Sequence, residues 1–361
     1  MKMIYVLICT VLLTSISYMP KVQGLSEQAA LAASSEQGSR ADEVRLKGYA
    51  LKPGDTIGVI APASSMDRNY LDRALDNLRS WGYKVKVAQS CTSEYGYFAG
   101  NDVMRATDIN RFFLDDEVDG ILCMRGGYGS VRVLNKLDYE AIKKHPKQFI
   151  GYSDVTALHV ALGEQANLAT IHGPMLSSLT DSEIRDEFTG VNFFKGISGT
   201  LYPGEIPMPA GTELKAITPG EAEGIIIGGN LSILTSMVGT PYELKGDGAI
   251  LFIEDVGEYT YRVDRMLQQL WQSGLLSRVN GVLVGAFVGA DEDYDGHDFL
   301  LDEVLAYYAR LSGKPWVKCV PVGHVEENLY LPFGVRARVT AAKDGKAGLA
   351  IVENPLEAQE H

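Results

Sequence analysis

The chain has 361 residues, 46% of them hydrophobic and 22% charged, and a formal net charge of −13. That length and apolar content allow two domains, each with a substantial core. The acidic balance argues against a nucleic-acid partner, because phosphate binding needs a basic face.

Residues 1–24, MKMIYVLICTVLLTSISYMPKVQG, carry Lys2, a long apolar run and small residues near Gly24. This is the pattern of a secretory signal peptide. The run is short for a spanning helix and is broken by Thr10, Thr14, Ser15 and Ser17, so an uncleaved N-terminal anchor is the alternative. Either way the folded part is expected on the extracytoplasmic side, in the cell wall, the periplasm or secreted. Cleavage after Gly24 removes Lys2 and Lys21 and no acid, taking the charge from −13 to −15, and leaves Cys91, Cys123 and Cys319. These show no CxxC pattern and are expected as small buried apolar residues. Residues 25–47 are expected to form a flexible tether.

From Leu51 the chain alternates. DTIGVIAPAS reads as a buried parallel strand, and RNYLDRALDNLRSWGY as a helix with Leu71, Leu75, Leu78 and Trp81 on one face. KVKVAQ is the next strand, VMRATDINRFFLDD a helix, VDGILCMRGGYG a strand entering a glycine loop, SVRVLNKLD a helix and QFIGYS a strand. The order predicts an α/β fold with a Rossmann/flavodoxin-like parallel sheet over residues 48–180. Residues 181–222, with several prolines, read as an irregular connection. A second α/β domain is expected over 223–352, from AEGIIIGGNLSILTSMVGT through GAILFIEDVGE, YRVDRMLQQLWQSGLL, VNGVLVGAFVGA and FLLDEVLAYYARL to the closing strands ARVTAA and AGLAIVE.

The chemistry concentrates at strand ends. FIGYSDVTALHVAL puts Ser153 on the corner between a strand and a helix, as in a nucleophile elbow, although Val155 replaces the second glycine of GxSxG. Ser153 or Asp154 acting only as a helix cap fits the same letters. RGGYGS, residues 125–130, lets backbone N–H groups approach a ligand closely, or is a plain turn. A serine nucleophile needs a base and an orienting acid. Of six histidines, His145, His297 and His361 read as solvated and His159 as packed on its helix, which leaves His172 and His324. Glu254, Asp255 and Glu258 leave an apolar strand, where an unpaired carboxylate is costly.

The segments GDTIGVIAPAS, RGGYG, GYSD, HGPM, GGNLS, FIEDVGE with YRVDRML, and PVGH with LPFG occur in this order between about residues 48 and 350. Together they resemble the LD-carboxypeptidase family of serine peptidases, which includes muramoyl-tetrapeptide carboxypeptidases and microcin C immunity peptidases. The resemblance implies a triad of Ser153 as nucleophile, Glu254 as acid and His324 as base, with the N–H groups of Gly127 and Asp154 as oxyanion hole. It leaves His172 a structural role. It further implies a murein peptide substrate cut before its terminal D-alanine, no cofactor, and a homodimer. Arg125 and Asn230 are candidates for receiving the substrate carboxylate. Members of the family are usually cytoplasmic, and the apparent signal peptide departs from that.

Two alternatives stay open. One is a microcin C-type amidase acting on an aminoacyl-nucleotide, which would need an aromatic clamp for the base. The other is an exported small-ligand binding protein of similar fold. DEDYDGHDFLLD, residues 291–302, also fits a D-x-D-x-D-G calcium loop with Asp302 in the place of the closing glutamate; a solvated acidic loop is the plainer alternative.

Overall fold

The structure is a computed structural model and describes residues 45–292 and 296–358. The expected leader, most of the expected tether, and residues 293–295 of the acidic loop lie outside the described residues. From residue 45 on, the chain clusters as one compact unit. Among the described residues no helix is long and apolar enough to cross a membrane.

The first sheet is built from β1 (Thr56–Ile60), β2 (Lys84–Val87), β3 (Gly120–Cys123), β4 (Gln148–Gly151) and β5 (Thr170–His172), all parallel. β3 and β4 are buried along their whole length, which is why they read as unbroken apolar runs. α1 (Arg68–Ser80) starts where the Asp67 side chain accepts from the N–H of Asn69, and buries Leu71, Ala74, Leu75 and Leu78. α2 (Asp102–Leu114) is capped by Asn101, and α3 (Tyr139–Lys144) by Asp138. α4 (Thr156–Ala166) follows the Ser153 corner and is buried on nearly every face.

The second sheet has eight strands in the order β6-β14-β13-β8-β9-β10-β11-β7. Its parallel centre is β8 (Gly220–Asn230), β9 (Ile250–Val256), β10 (Gly281–Val288) and β11 (Trp316–Lys318). Antiparallel strands β6 (Gly204–Glu205), β7 (Lys215–Thr218), β13 (Arg336–Ala341) and β14 (Ala347–Ile351) close its two sides. Its helices include α6 (Leu231–Ser236), α7 (Thr260–Gln272), α8 (Leu275–Arg278) and α9 (Leu301–Ser312).

Four expectations are corrected. SVRVLNKLD forms two short 3-10 turns, Ser130–Arg132 and Leu134–Lys136, not one helix. Its start is pinned from outside: the Ser130 N–H donates to Asp154 and the Gly129 carbonyl accepts from Arg105. The stretch read as irregular contains a helix, α5 (Phe188–Ile197), whose glycines lower its propensity but whose Phe193 and Ile197 are fully buried. The two sheets do not divide the chain cleanly either. β12 (Leu331–Phe333), far along the chain, crosses back and pairs antiparallel with β5 at the edge of the first sheet. Cys91 and Cys123 are buried as expected, but Cys319 is exposed in the loop after β11.

The ends of the acidic loop are already engaged. Asp291 accepts from Thr260 Oγ1 and from the Leu301 N–H, and Asp302 from Lys318 Nζ at 2.5 Å.

Candidate active site

The C-terminal ends of the parallel strands in an open α/β sheet leave a crevice, and the site lies there. β4 ends at Gly151, and Ser153 then takes φ +63, one of three non-glycine residues in the left-handed region among those described. A left-handed serine costs about 1–2 kcal/mol. The strain turns the chain sharply and holds the hydroxyl clear of the sheet, which separates an elbow from a simple cap. No side-chain capping bond is made at the start of either the Ser153–Val155 turn or α4.

Glu254 comes from β9 in the other sheet and is fully buried. His324 comes from the loop between β11 and β12, with its side chain 20% exposed. Ser153 Oγ donates to His324 Nε2 at 2.9 Å, and His324 Nδ1 donates to Glu254 Oε2 at 2.8 Å. Residues 171 positions apart thus form one hydrogen-bonded chain. Burial pushes the Glu254 carboxyl above its usual range, while the neighbouring His324 pulls it back down. Among the described residues Glu254 Oε1 has no hydrogen-bond partner; the nearby Asn230 amide favours its ionised form without reaching bonding geometry.

The chain is braced on every side. The Tyr152 ring packs edge-on against the His324 ring, with centroids 5.1 Å apart. The loop carrying His324 is tied by Asn328, whose side chain accepts from the Gly323 N–H at 3.1 Å and whose own N–H donates to Thr189 at 2.9 Å. Neither Asn328 nor Thr189 was singled out by the sequence; both are polar residues in irregular stretches, with no motif to mark them. The two sheets meet where the Asn230 N–H donates to Thr156 Oγ1 at 2.9 Å, at the start of α4.

Gly126 lies against Ser153. A Cβ placed on it would stand 3.1 Å from Ser153 Oγ and 3.5 Å from the Asp154 nitrogen. Gly127 follows at φ +114 and packs on Ser64, which in turn accepts from the Tyr128 N–H. The Asp154 N–H belongs to the first turn after the elbow, where a helix has no internal acceptor for its N–H groups. The Asp154 side chain points inward, takes the Ser130 N–H at 2.8 Å and is raised in pKa by burial.

A cavity of about 650 Å³ opens over Ser153 and His324, and Arg125, Gly126, Gly127, Tyr70 and Val256 are among its lining. Arg125 is exposed and donates to the Ser65 carbonyl at 3.2 Å. Asn230 is not among the residues lining this cavity. Its amide donates to Asp255, its carbonyl caps α6, and it is 5% exposed. Asp255 accepts from Asn230, from the Ser232 N–H and from the Ser232 hydroxyl. His172 is fully buried beneath Tyr152, Phe252 and Phe333, and burial drives its pKa well below the usual value. His159, also buried, bonds Thr170 and the Gly151 carbonyl, and its pKa falls to about 4.

Known proteins share this arrangement of sequence and fold. The family model of the LD-carboxypeptidase N-terminal domain matches residues 57–173, and that of the LD-carboxypeptidase C-terminal domain matches residues 223–339. A probable murein peptide carboxypeptidase of Bacillus subtilis is 39% identical, over 82% of this chain and 92% of its own length. The crystal structure of a muramoyltetrapeptide carboxypeptidase from Oxalobacter formigenes superposes with a TM-score of 0.71 at 32% identity, over 83% of this chain and 99% of that one. An MccF-like protein from Bacillus anthracis superposes with a TM-score of 0.76 at 28% identity, over 86% and 100%.

Proposed function

The chain belongs to the LD-carboxypeptidase family, and from that premise we propose that it is a serine carboxypeptidase releasing the terminal D-alanine of murein tetrapeptide stems. The observation that carries the reading is the hydrogen-bonded chain from Ser153 through His324 to Glu254, starting from a serine in the left-handed conformation. The names of the relatives supply the substrate class.

In this reading His324 Nε2 takes the Ser153 proton as Oγ attacks the scissile carbonyl. The oxyanion is received by the N–H groups of Gly127 and Asp154. The tetrahedral intermediate collapses, His324 gives the proton to the leaving amine, and D-alanine departs. Water then attacks the acyl-enzyme with His324 again as base, restoring Ser153 and freeing the shortened peptide. Glu254 accepts from Nδ1 throughout, fixing the tautomer and stabilising the imidazolium. Arg125, at the cavity wall, pairs with a carboxylate of the substrate. Incubating the protein with a murein tetrapeptide, beside its Ser153→Ala variant, tests this by mass spectrometry. Loss of one D-alanine with the parent only is expected; equal loss with both refutes the nucleophile.

The apolar N-terminal stretch supports work on the extracytoplasmic side, on wall peptides outside the membrane. The protein recovered outside the cell, or fixed on the outer face of its membrane, is the expected result of fractionation. The homodimer is proposed from the family resemblance, and light scattering reads it directly.

A further inference from the structure

Beside the cavity stands a rigid aromatic platform. The rings of Tyr97, Phe98 and Tyr128 contact one another, with centroid separations of 4.4 Å, 5.9 Å and 5.8 Å. Phe98 is buried, and the Arg105 and Arg132 guanidinium groups lie over its ring at 4.7 and 5.2 Å. Arg105 is fully buried and donates to the carbonyls of Pro62, Gly100 and Gly129. Asp102 accepts from both guanidinium groups, and Arg132 reaches both of its oxygens. The foundation is therefore fixed, and its charges are engaged with each other. Above it, Tyr97 and Tyr128 remain 64% and 45% exposed.

We infer that Tyr97 and Tyr128 form a saccharide subsite that takes the muramoyl sugar of the substrate; this rests on the murein carboxypeptidase reading above. Tyrosine offers a flat apolar face with a hydroxyl at its edge, and a pyranose offers an apolar C–H face ringed by hydroxyls. Few rotatable bonds and a braced ring keep the entropy cost of that contact low.

Reach agrees with the assignment. Gly126 abuts Ser153, and Tyr128 lies two residues further on, so its Cα is within about 7 Å of Gly126. In a tetrapeptide stem the sugar precedes the first residue and the cut follows the third, and three extended residues span about 10 Å. A peptide with its third carbonyl at Ser153 can therefore bring its sugar to the platform. Arg125, in the lining of the cavity over Ser153, can receive a carboxylate of the same peptide.

The test compares kcat/KM for a muramoyl tetrapeptide and for the same tetrapeptide without sugar, in the parent, Tyr97→Ala and Tyr97→Phe. The parent is expected to prefer the muramoyl substrate by about tenfold, the size of one good ring contact. Tyr97→Ala is expected to bring that ratio close to one, and Tyr97→Phe to keep most of it. A parent ratio near one, or an unchanged ratio in Tyr97→Ala, overturns the subsite. If the parent cuts neither substrate, the carboxypeptidase reading fails, and the subsite is decided separately by titrating a peptide-free murein disaccharide into the Ser153→Ala protein by NMR. Saturable binding that Tyr97→Ala removes sustains it, and no binding overturns it. Displacement of the disaccharide by a lower concentration of adenosine monophosphate also overturns it, in favour of a nucleobase.

Discussion

Replacing Gly126 by alanine adds a single methyl group at the point where the glycine loop meets Ser153. That carbon would stand 3.0 Å from Ser153 Cβ and 3.1 Å from its hydroxyl oxygen. Carbon contacts are most favourable at about 3.5–4.0 Å, so the methyl intrudes by about 0.5–1 Å. Gly126 is not among the glycines with positive φ, so alanine brings no backbone penalty of its own. The crowding must be relieved by moving Ser153, the loop, or both. A misplacement of about 1 Å costs about 10²-fold in rate, and that is the fall in kcat/KM expected for Gly126→Ala. The loss of stability should stay within the ~1–3 kcal/mol typical of overpacking. Gly127→Ala is the control for stability: its φ of +114 and a Cβ that would meet Ser64 Oγ add backbone strain of about 1–3 kcal/mol to the clash. Steady-state kinetics, the rate of labelling by a fluorophosphonate probe, and thermal melting read the three quantities on the same samples. A folded Gly126→Ala protein with the parental kcat/KM and labelling rate would refute the view that this glycine exists to clear the serine.

Three further outcomes are expected. Glu254→Gln, at a fully buried position, keeps the shape but removes the charge that holds the His324 tautomer, and should lower kcat by about 10⁴-fold with unchanged circular dichroism. Asn230→Ala removes a helix cap and a partner of buried Asp255, and should cost about 1–3 kcal/mol in urea unfolding while reducing kcat less than Glu254→Gln does. His159 is held neutral by burial, with its pKa lowered from 6.5 to about 4, so it contributes stability that is complete above pH 6.5 and is lost as pH falls toward 4. That change is worth up to about 3 kcal/mol. The raised carboxyls of Glu254 and Asp154 act in the opposite sense, since protonation favours their folded form. The comparison is therefore between the parent and His159→Gln over that pH window, where the variant should lose stability less steeply; an equal slope would count against the role given to His159.

The central strands of both sheets could be read from apolar runs of the right length, and α1, α2, α7 and α9 from their periodicity, whereas β6 and β7 fell in the stretch read as irregular and β12 was not foreseen. Helix α5 escaped because Gly190, Gly196 and Thr189 dilute the pattern, and only burial against the rest of the molecule makes it a helix. The segment 130–138 shows the reverse, with enough apolar letters for a helix and tertiary bonds that hold it in short turns. At the site, Ser153, His324 and Glu254 could be named through ordered motifs, each weak by itself. The letters GGN fit a ligand loop and a helix cap equally well, and the structure shows that Asn230 caps a helix and holds Asp255 opposite.

What the sequence determined by itself was local and additive: strand and helix periods, the glycine punctuation, and the small set of residues able to act as nucleophile, base or acid. These follow from neighbours within a few positions, where the rules of backbone and side-chain geometry apply directly. The tertiary structure alone decided which of those residues meet. It brought His324 to 2.9 Å from Ser153 and sent β12 back to the first sheet. It also left Tyr97 and Tyr128 exposed on a braced foundation. Such contacts join residues far apart in the chain, and their geometry is set by how two whole sheets pack together, which no short stretch of sequence contains.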